Sequence, residues 1–456
     1  MSVVGKGTKR TARWVTGFAV AALLGVASLA IAGEREPSFT LKTTVVITGN
    51  PLGAFDISWV DPELHAYLLS DRSNKAVDVI DTVTKAQSKL GAGAFAGNIP
   101  TCPSPNSCNG PNGVLSFFNH ESGKHEVWAG DGPVPGPGQT PSTTCTARIP
   151  LGILTPADTQ CSTVKVIDFA TGAILHNIPT GGLYRADELC YDPVDHLIQI
   201  ANDADSPPYI NFIPTEGPHA YTVVKQVNFD GLPGDGPNAT NGIEACQWIP
   251  ENGMIYRNVP EVNGDGNDDA PGHVVVFDPK TLEIVKEFVI PLDQCAGPQG
   301  MAVGPSPQIM EGCNAMGPPE TPPGCSITST CTGSGPQNTV VIDLRDGRVI
   351  QTLANQGGND EVWFNPGNGL YFLAEGENAT QAQLGIVSSL PFIKTVQDIV
   401  VAKPFTGHAH SVAADPKSGE VYFPIPDNLD GPGNEVPNPC GSNASQGCIA
   451  IYAPQD

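Results

Sequence analysis

Polar side chains that can bind cations or exchange protons recur at one position of a repeated sequence phrase. The phrase is a short apolar segment, a turn containing Pro, Gly or Asn, and a second apolar segment, as in residues 359–373 and 410–424. When the copies are aligned on the turn, the residue five places earlier is polar each time: Asp56, Asp187, Glu244, Gln299, Asp360 and His410. Carboxylates and imidazoles are common ligands of divalent cations and common acids and bases in catalysis. We name this set the polar column and take it as the first candidate for a functional site.

Neighbouring residues extend the polar column. Glu188 and Glu361 directly follow aligned positions. His408 precedes His410 by two residues, so on an extended strand both imidazoles point to the same face. In the second copy, where the alignment is weakest, the counterpart is expected to be Asn112.

The chemistry expected of the polar column is metal binding. An oxygen-rich set suits Ca²⁺, Mg²⁺ or Mn²⁺, whereas His408 and His410 would also allow Zn²⁺, Fe or Cu. A bound cation polarises a carbonyl group or lowers the pKa of a bound water, and a spare carboxylate or histidine then serves as acid or base. The alternative is a wet channel that polar residues line without binding a ligand.

A second candidate cation site is the acidic segment NGDGNDDAPG at residues 263–272. An oxygen donor stands at every second position: Asn263, Asp265, Asn267 and Asp269. This spacing resembles the first half of an EF-hand loop, although Asp268 replaces the glycine of that loop and Val274 its final glutamate. The pattern predicts either a structural Ca²⁺ site or an ordinary acidic hairpin loop.

The repeated phrase also predicts the elements that position these residues. We count seven units, of which residues 54–90 form the most regular. Four short strands a unit, repeated radially, form a β-propeller, in which equivalent residues of all units meet at one axis. The chain exceeds the length of seven ordinary blades, and the excess lies in Pro/Gly/Cys-rich insertions near residues 98–110, 131–162 and 304–337. The alternative is a set of separate β-sandwich domains.

The two ends of the chain predict how the ring closes. The last unit lacks its fourth strand, and SFTLKTTVVITG at residues 38–49 is a strand left over at the other end. We therefore expect the N-terminal strand to complete the last blade as its outer strand, which removes an open sheet edge.

The first 32 residues resemble a secretory signal peptide. A basic start (Lys6 to Arg13) is followed by an apolar stretch, and Ala30-Ile31-Ala32 forms an A-x-A cleavage site. This predicts a secreted or periplasmic protein whose single propeller domain spans residues 33–456. The alternative is a membrane anchor at the same segment.

The cysteines favour disulfides over metal or redox roles. All 12 follow the leader, and an even number in an oxidising compartment is typical of disulfide bonds. Local pairs are predicted for Cys102 with Cys108, Cys145 with Cys161, and Cys440 with Cys448. A pair between Cys190 and Cys246 is also possible, and Cys295 is a candidate partner for one of Cys313, Cys325 and Cys331.

Charge limits the classes of partner. The net charge is −24, and the leader contributes four of the 23 basic residues and no acidic one. Such a field repels nucleic acid and anionic membrane surfaces and attracts cations. We expect a small-molecule ligand, no nucleic acid and no membrane insertion. The alternative is a protein partner that binds at the insertions on the rim of the ring.

Several stretches resemble known propeller repeats. AYLLSDRSNKAVDVIDTVTKAQ, HVVVFDPKTLEIVKEF and NTVVIDLRDGRVIQTL are similar to YVTN-family repeats. PNGVLSF and PQGMAV resemble the starts of blades in that family, in NHL repeats and in the senescence-marker/gluconolactonase group. The resemblance implies a seven-bladed propeller. Gluconolactonase-like and virginiamycin B lyase-like propellers use a central metal, which would make Glu244, Asp360 and His410 the first catalytic candidates, but neither family's full ligand set is matched.

The expected function is metal-assisted chemistry on a small organic molecule, of the lactone-hydrolysis or lyase type. The sequence contains no nucleophile elbow, phosphate loop, dinucleotide fingerprint or H-E-x-x-H motif. The alternative is a non-catalytic secreted or cell-surface propeller that binds a ligand or a protein.

Overall fold

The computed structural model describes residues 37–99, 102, 107–133, 145, 161–315, 337–378, 381–403, 409–427, 429 and 435–455. Within these ranges the chain forms 28 short strands and one 3-10 helix, Gly441–Gln446. The predicted leader lies outside this part of the chain, and so do Cys325, Cys331 and His408.

The strands form seven antiparallel sheets of four strands each. This confirms the seven-bladed β-propeller predicted from the repeats. In six blades the four strands follow one another in the chain, from the innermost strand to the outermost. The seventh blade takes its outermost strand from the N-terminal end of the chain.

The first three blades each take four consecutive strands of the chain. Blade 1 contains β2 (Ser58–Asp61), β3 (Ala66–Asp71), β4 (Ala76–Asp81) and β5 (Gln87–Leu90). Blade 2 contains β6 (Val114–Asn119), β7 (Lys124–Asp131), β8 (Thr163–Asp168) and β9 (Ile174–Pro179). Blade 3 contains β10 (Leu189–Asp192), β11 (Leu197–Asn202), β12 (Tyr209–Pro214) and β13 (Lys225–Asn228).

The remaining blades follow the same plan. Blade 4 contains β14 (Cys246–Ile249), β15 (Met254–Val259), β16 (His273–Asp278) and β17 (Glu283–Val289). Blade 5 contains β18 (Ala296–Val303), β19 (Gln308–Ala315), β20 (Asn338–Asp343) and β21 (Val349–Ala354). Blade 6 contains β22 (Val362–Asn365), β23 (Leu370–Glu375), β24 (Ala382–Ser388) and β25 (Lys394–Ala402). Blade 7 contains β26 (Ala413–Ala414), β27 (Val421–Ile425), β28 (Cys448–Pro454) and β1 (Phe39–Val45).

The ring closes as the sequence predicts. Strand β1 pairs antiparallel with β28, from Phe39 opposite Pro454 to Val45 opposite Ile449. A buried carboxylate reinforces the closure. Glu420 Oε1 forms an ion pair with Nζ of Lys42 in β1 at 2.5 Å, and Glu420 Oε2 forms a second ion pair with Lys85 of blade 1. The closing strand is therefore joined to blade 7 by backbone pairing and by charge, and the same carboxylate links blade 7 to blade 1.

The repeated Asp-Pro and Asn-Pro turns have a common geometry that explains their recurrence. Asp61 Oδ1 accepts hydrogen bonds from the backbone N–H groups of Glu63 (2.9 Å) and Leu64 (3.1 Å), which is an Asx turn. The turn then requires a left-handed residue before the second strand, with φ of 53° at His65 and 70° at Gly369. These turns set the length of each innermost strand and so align the polar column around the axis.

Burial changes across each blade. The second and third strands are covered on both faces by neighbouring blades, and all six residues of β3 are buried. The outermost strands meet solvent, as in β17, where most residues are exposed or half-buried. The innermost strands are short and keep partial exposure toward the axis, as in β14.

Five disulfides lie within the described residues: Cys102–Cys108, Cys145–Cys161, Cys190–Cys246, Cys295–Cys313 and Cys440–Cys448. They confirm the predicted local pairs and the bridge between consecutive repeats. Cys190–Cys246 joins the innermost strands of blades 3 and 4, with the two Cα atoms 5.6 Å apart. This number of disulfides is compatible with an extracellular location. Among the described residues we find no helix that is both long and apolar enough to cross a membrane.

Candidate axial site

The polar column converges on one cavity. Each member lies just before or within the innermost strand of its blade, and together with Glu188 all six line a cavity of about 360 Å³. We call it the axial cavity. The alignment of the repeats thus identified residues that are far apart in sequence and adjacent in space.

Three members of the column form the tightest group. Ligand atoms of Asp56, Asp360 and His410 all lie within 4.8 Å of one another. The Nδ1 atom of His410 lies 3.0 Å from Asp360 Oδ2, and its Nε2 atom lies 4.0 Å from Asp56 Oδ1. Two carboxylates and an imidazole from blades 1, 6 and 7 are a donor set that divalent transition metals accept.

Both ring nitrogens of His410 are hydrogen-bonded. Nε2 lies 3.1 Å from the carbonyl oxygen of Phe55, which can only accept, so Nε2 carries a proton. Burial by itself would lower the pKa of His410, but the hydrogen bond and the charge of Asp360 outweigh it and raise the pKa to about 9. The imidazole is therefore a cation at neutral pH, and a metal ion would have to replace one of its protons.

Two arginines that the sequence analysis did not single out also line the cavity. Arg72 donates to Asp56 at 2.5 Å and to Asn112 at 2.8 Å and 3.0 Å. Arg185 pairs with Asp187 and, at 2.8 Å, with Asp203. A sequence signal for Arg185 is its position two residues before Asp187, just ahead of β10.

The arginines separate the acids of the cavity into different ionisation states. Burial raises the pKa of Asp56 to about 7, although Arg72 opposes the rise. Burial would also raise the pKa of Asp187, but Arg185 and Arg72 outweigh it and hold the pKa below its usual value. For Asp203 the effect of burial exceeds the opposing effect of Arg185, so its pKa is raised to about 8.

A second part of the cavity has acceptors without donors. Within the described part of the chain, the carboxyl groups of Glu188 and Glu244 make no hydrogen bond and no ion pair. Burial and neighbouring acids raise the pKa of both well above the usual value. The Oε1 atom of Gln299 is buried and also lacks a partner among these residues.

Arg257 holds the backbone beneath these acids. Its side chain is fully buried, and it donates from Nη1 to the carbonyl oxygen of Glu244 at 2.5 Å. Its Nε donates to Gln199 Oε1 at 2.6 Å. Burial lowers the pKa of Arg257 to about 10, against the nearby carboxyl groups of Glu188 and Glu244, so it remains charged at neutral pH.

Other residues singled out by sequence lie elsewhere. Asn112 is fully buried and positions Arg72 instead of lining the cavity. Glu361 lies deeper along the axis, where its Oε2 accepts from Ser411 Oγ at 2.5 Å and from Val412 N at 2.9 Å. His408 lies outside the described residues, so its part in the site remains a prediction.

The acidic loop brings together a different set from the one its spacing suggests. Asp265 and Asp269 group with Glu261, which is fully buried and which the sequence analysis passed over. Asn267 donates from Nδ2 to Asp265 Oδ1 at 2.7 Å, and Asn263 Oδ1 accepts from Asn238 at 3.2 Å. Glu261 itself accepts from Thr240 Oγ1 and from the backbone N–H groups of Gly266 and Asp269. A Ca²⁺ ion in this loop remains a prediction.

Comparison with known proteins supports the fold only. No family model matches the sequence, and no curated protein matches it. Among solved structures, the chain is similar to the RRP9 WD40 repeats (TM-score 0.55, 10% identity, 92% of this chain and 100% of that one). It is also similar to a chain of the Mitotic Checkpoint Complex (TM-score 0.54, 12% identity, 97% and 100%). A third is Kuenenia stuttgartiensis hydrazine synthase (TM-score 0.51, 14% identity, 84% and 95%). At these identities the likeness supports the β-propeller fold and leaves function to the site itself.

Proposed function

We propose that this protein is an exported propeller that binds a divalent cation in its axial cavity and acts there on a small organic molecule, by lactone hydrolysis or by a lyase reaction. The observation that carries the proposal is the group Asp56, Asp360 and His410, whose ligand atoms lie within 4.8 Å of one another. The proposal places the chain functionally beside the gluconolactonase-like and virginiamycin B lyase-like propellers that its repeats resemble.

The donor set fits a cation that accepts both oxygen and nitrogen ligands. Carboxylates suit Ca²⁺, Mg²⁺ and Mn²⁺, and an imidazole suits Zn²⁺ and Fe, so Mn²⁺ or Zn²⁺ satisfies the mixed set of Asp56, Asp360 and His410. Such an ion would supply Lewis-acid polarisation of a carbonyl oxygen.

The other residues of the cavity supply proton transfer and charge stabilisation. Burial and neighbouring acids raise the pKa of Glu244 well above its usual value, which favours the protonated form that can protonate a leaving oxygen. Arg72 and Arg185 line the same cavity, and although each is paired with an acid, their charge would stabilise negative charge that develops on the substrate. These roles require a substrate with a carbonyl group and a leaving oxygen, as in a lactone or in an ester that undergoes elimination.

Elemental analysis tests the metal site. Purified protein, stripped with a chelator and reloaded, should retain about one equivalent of Mn²⁺ or Zn²⁺ after desalting. Asp360→Asn and His410→Gln should lose it, whereas Asp346→Asn, which alters an exposed acid on blade 5, should not. Wild-type protein that retains no ion and takes up none in a titration would overturn the proposal.

Measurements of turnover distinguish the role of Glu244 as a proton donor from the role of the metal ligands. Glu244→Gln should keep its metal and lose turnover of a lactone panel and of eliminable esters. Equal loss of metal and turnover would instead assign Glu244 to the metal site.

Non-catalytic protein binding is the second candidate function. Leu390 and Phe392, in the turn between β24 and β25, are 63% and 74% exposed, which is unusual for large apolar side chains. One of the similar structures belongs to an assembly, the Mitotic Checkpoint Complex. Retention of a partner that depends on Phe392 or on the insertions at 131–162 and 304–337 would favour this function.

A further inference from the structure

A second cavity continues the axial cavity along the axis. It has a volume of about 50 Å³, and we call it the inner chamber. Glu188 and Asp360 line both spaces, so the two are contiguous.

The walls of the inner chamber are mostly apolar because of the period of the strands, although Glu361 and Ser58 also line it. Side chains two positions apart on a strand point to the same face. The residues two positions after the polar column therefore also face the axis, and they include Val114, Leu189, Met301 and Val362. The rings of Trp59 and Trp363 pack edge to face in the same wall, with centroids 5.3 Å apart.

The axial cavity next to this chamber contains hydrogen-bond acceptors that have no donor among the described residues. The carboxyl groups of Glu188 and Glu244 make no hydrogen bond and no ion pair to described residues, and Gln299 Oε1 is buried without a partner. All three residues line the axial cavity. Gln299 Oε1 is a buried acceptor without a donor, which costs free energy, and the half-buried Glu188 and Glu244 line the same cavity. A ligand carrying several N–H groups would satisfy all three.

The two arginines that line the cavity do not donate to these acceptors. Arg72 is engaged by Asp56 and Asn112, and Arg185 by Asp187 and Asp203. The net charge of −24 adds a long-range attraction for cations. A carboxylate or phosphate ligand would instead face the unpaired acids.

We infer that the axial site accepts an organic cation, namely a primary ammonium group placed among Glu188, Glu244 and Gln299 with a short apolar chain extending into the inner chamber. The chamber limits the chain to a few carbon atoms. The inference rests on the proposed function, because it names the class of molecule on which that cavity acts. It depends on residues other than the three proposed metal ligands.

Calorimetric titration of chelator-treated protein tests this ligand class directly. The probes are propylammonium, ammonium, propanol and propionate, at constant ionic strength. Propylammonium should bind about tenfold more tightly than ammonium, because its chain enters the apolar chamber. Propanol and propionate should bind at least about tenfold more weakly than propylammonium, because neither brings a cationic donor.

Substitutions test where the ammonium group and the apolar chain of the ligand bind. Glu244→Gln and Glu188→Gln should each weaken propylammonium by about tenfold, whereas Glu283→Gln on the exposed strand β17 should leave it unchanged. Val114→Phe fills the inner chamber, so it should abolish the preference for propylammonium over ammonium while ammonium binding persists. Thermal melts confirm that each variant is folded, and if a variant is not, the wild-type probe series decides.

The outcomes separate this inference from the proposed function. Equal binding of propanol and propylammonium, or an undiminished affinity in both folded glutamine variants, overturns the inference even if a metal is retained. Selective propylammonium binding by protein that takes up no metal supports the inference and overturns the proposed metal chemistry.

Discussion

The Nδ1 atom of His410 lies 3.0 Å from Oδ2 of Asp360, although the two residues precede the innermost strands of different blades. The pair joins blades 6 and 7 at the axis. Because the imidazole also donates to the carbonyl oxygen of Phe55, its orientation is determined by both neighbours.

This pairing predicts an elevated pKa for His410 that depends on Asp360. The imidazole should titrate near pH 9 in the wild-type protein. In Asp360→Asn the pKa should fall to or below the ordinary value of about 6.5, because burial then dominates. NMR of the ring nitrogens across a pH series measures both values.

The same pKa has a consequence for stability. A raised histidine pKa contributes stability that is fully present below about pH 6.5 and is lost as the pH rises through about 9. Asp360→Asn should therefore be most destabilising near pH 6. An unchanged His410 titration in the variant would contradict the assignment.

Removal of the Cys190–Cys246 disulfide should destabilise the fold and loosen the axial site. The two cysteines are 56 positions apart, and a loop of this length corresponds to about 4 kcal/mol of unfolding free energy in the chain-entropy model. The double alanine variant of Cys440 and Cys448, whose separation is 8, provides the matched control, with about 2.5 kcal/mol. Denaturant unfolding measures both, and equal losses would show that loop length does not set the contribution.

Glu420→Gln should weaken the closure of the ring. The substitution removes a buried carboxylate from Lys42 and Lys85, and loss of this partner costs about 1–3 kcal/mol. Burial would raise the pKa of Glu420, but the two lysines outweigh it and lower the pKa. The stabilisation is therefore present above the ordinary carboxyl pKa and is lost as the pH falls.

Urea unfolding at pH 7 and pH 3.5 tests this prediction. The difference between wild type and Glu420→Gln should be large at pH 7 and small at pH 3.5. Asp346→Asn serves as control, because its pair with Arg348 is exposed and should contribute almost nothing. A difference that persists at pH 3.5 would mean that packing, not charge, is lost.

Glu311 should make the protein less stable at alkaline pH. Its side chain is fully buried, and burial raises its pKa to about 8 against the hydrogen bond that it accepts from Asn258 at 2.7 Å. The folded state therefore holds a proton that the unfolded state releases near pH 4.5, so stability falls as the pH rises from about 4.5 to 8.

Glu311→Gln removes this titration. Between pH 5.5 and 8 its unfolding free energy should fall less than that of the wild type, and Glu283→Gln on an exposed strand should follow the wild type. Parallel curves for wild type and Glu311→Gln would show that Glu311 does not hold the proton.

Local chemistry explains why so much of the fold was predictable. An Asx turn needs only an aspartate or asparagine and the next two or three N–H groups, as at Asp61, and a strand pair needs only alternating apolar residues. Because the copies repeat, alignment extends this local information to the ring, to the closing strand β1 and to the residues that face the axis. The Cys190–Cys246 bridge follows from the same alignment, since Cys190 lies three positions after Asp187 and Cys246 two positions after Glu244.

Tertiary structure alone decided which of these residues act together. The sequence presents Asp56, Asp187, Glu244 and Asp360 as equivalent acids, but each blade brings different neighbours to the axis. Arg72 reaches Asp56 from the second strand of blade 1, and Arg185 pairs with Asp187, whereas Glu244 has no such partner among the described residues. Ionisation depends on distances and burial that no local pattern encodes, so the sequence determined the position of the site and the packing of the ring determined its charges.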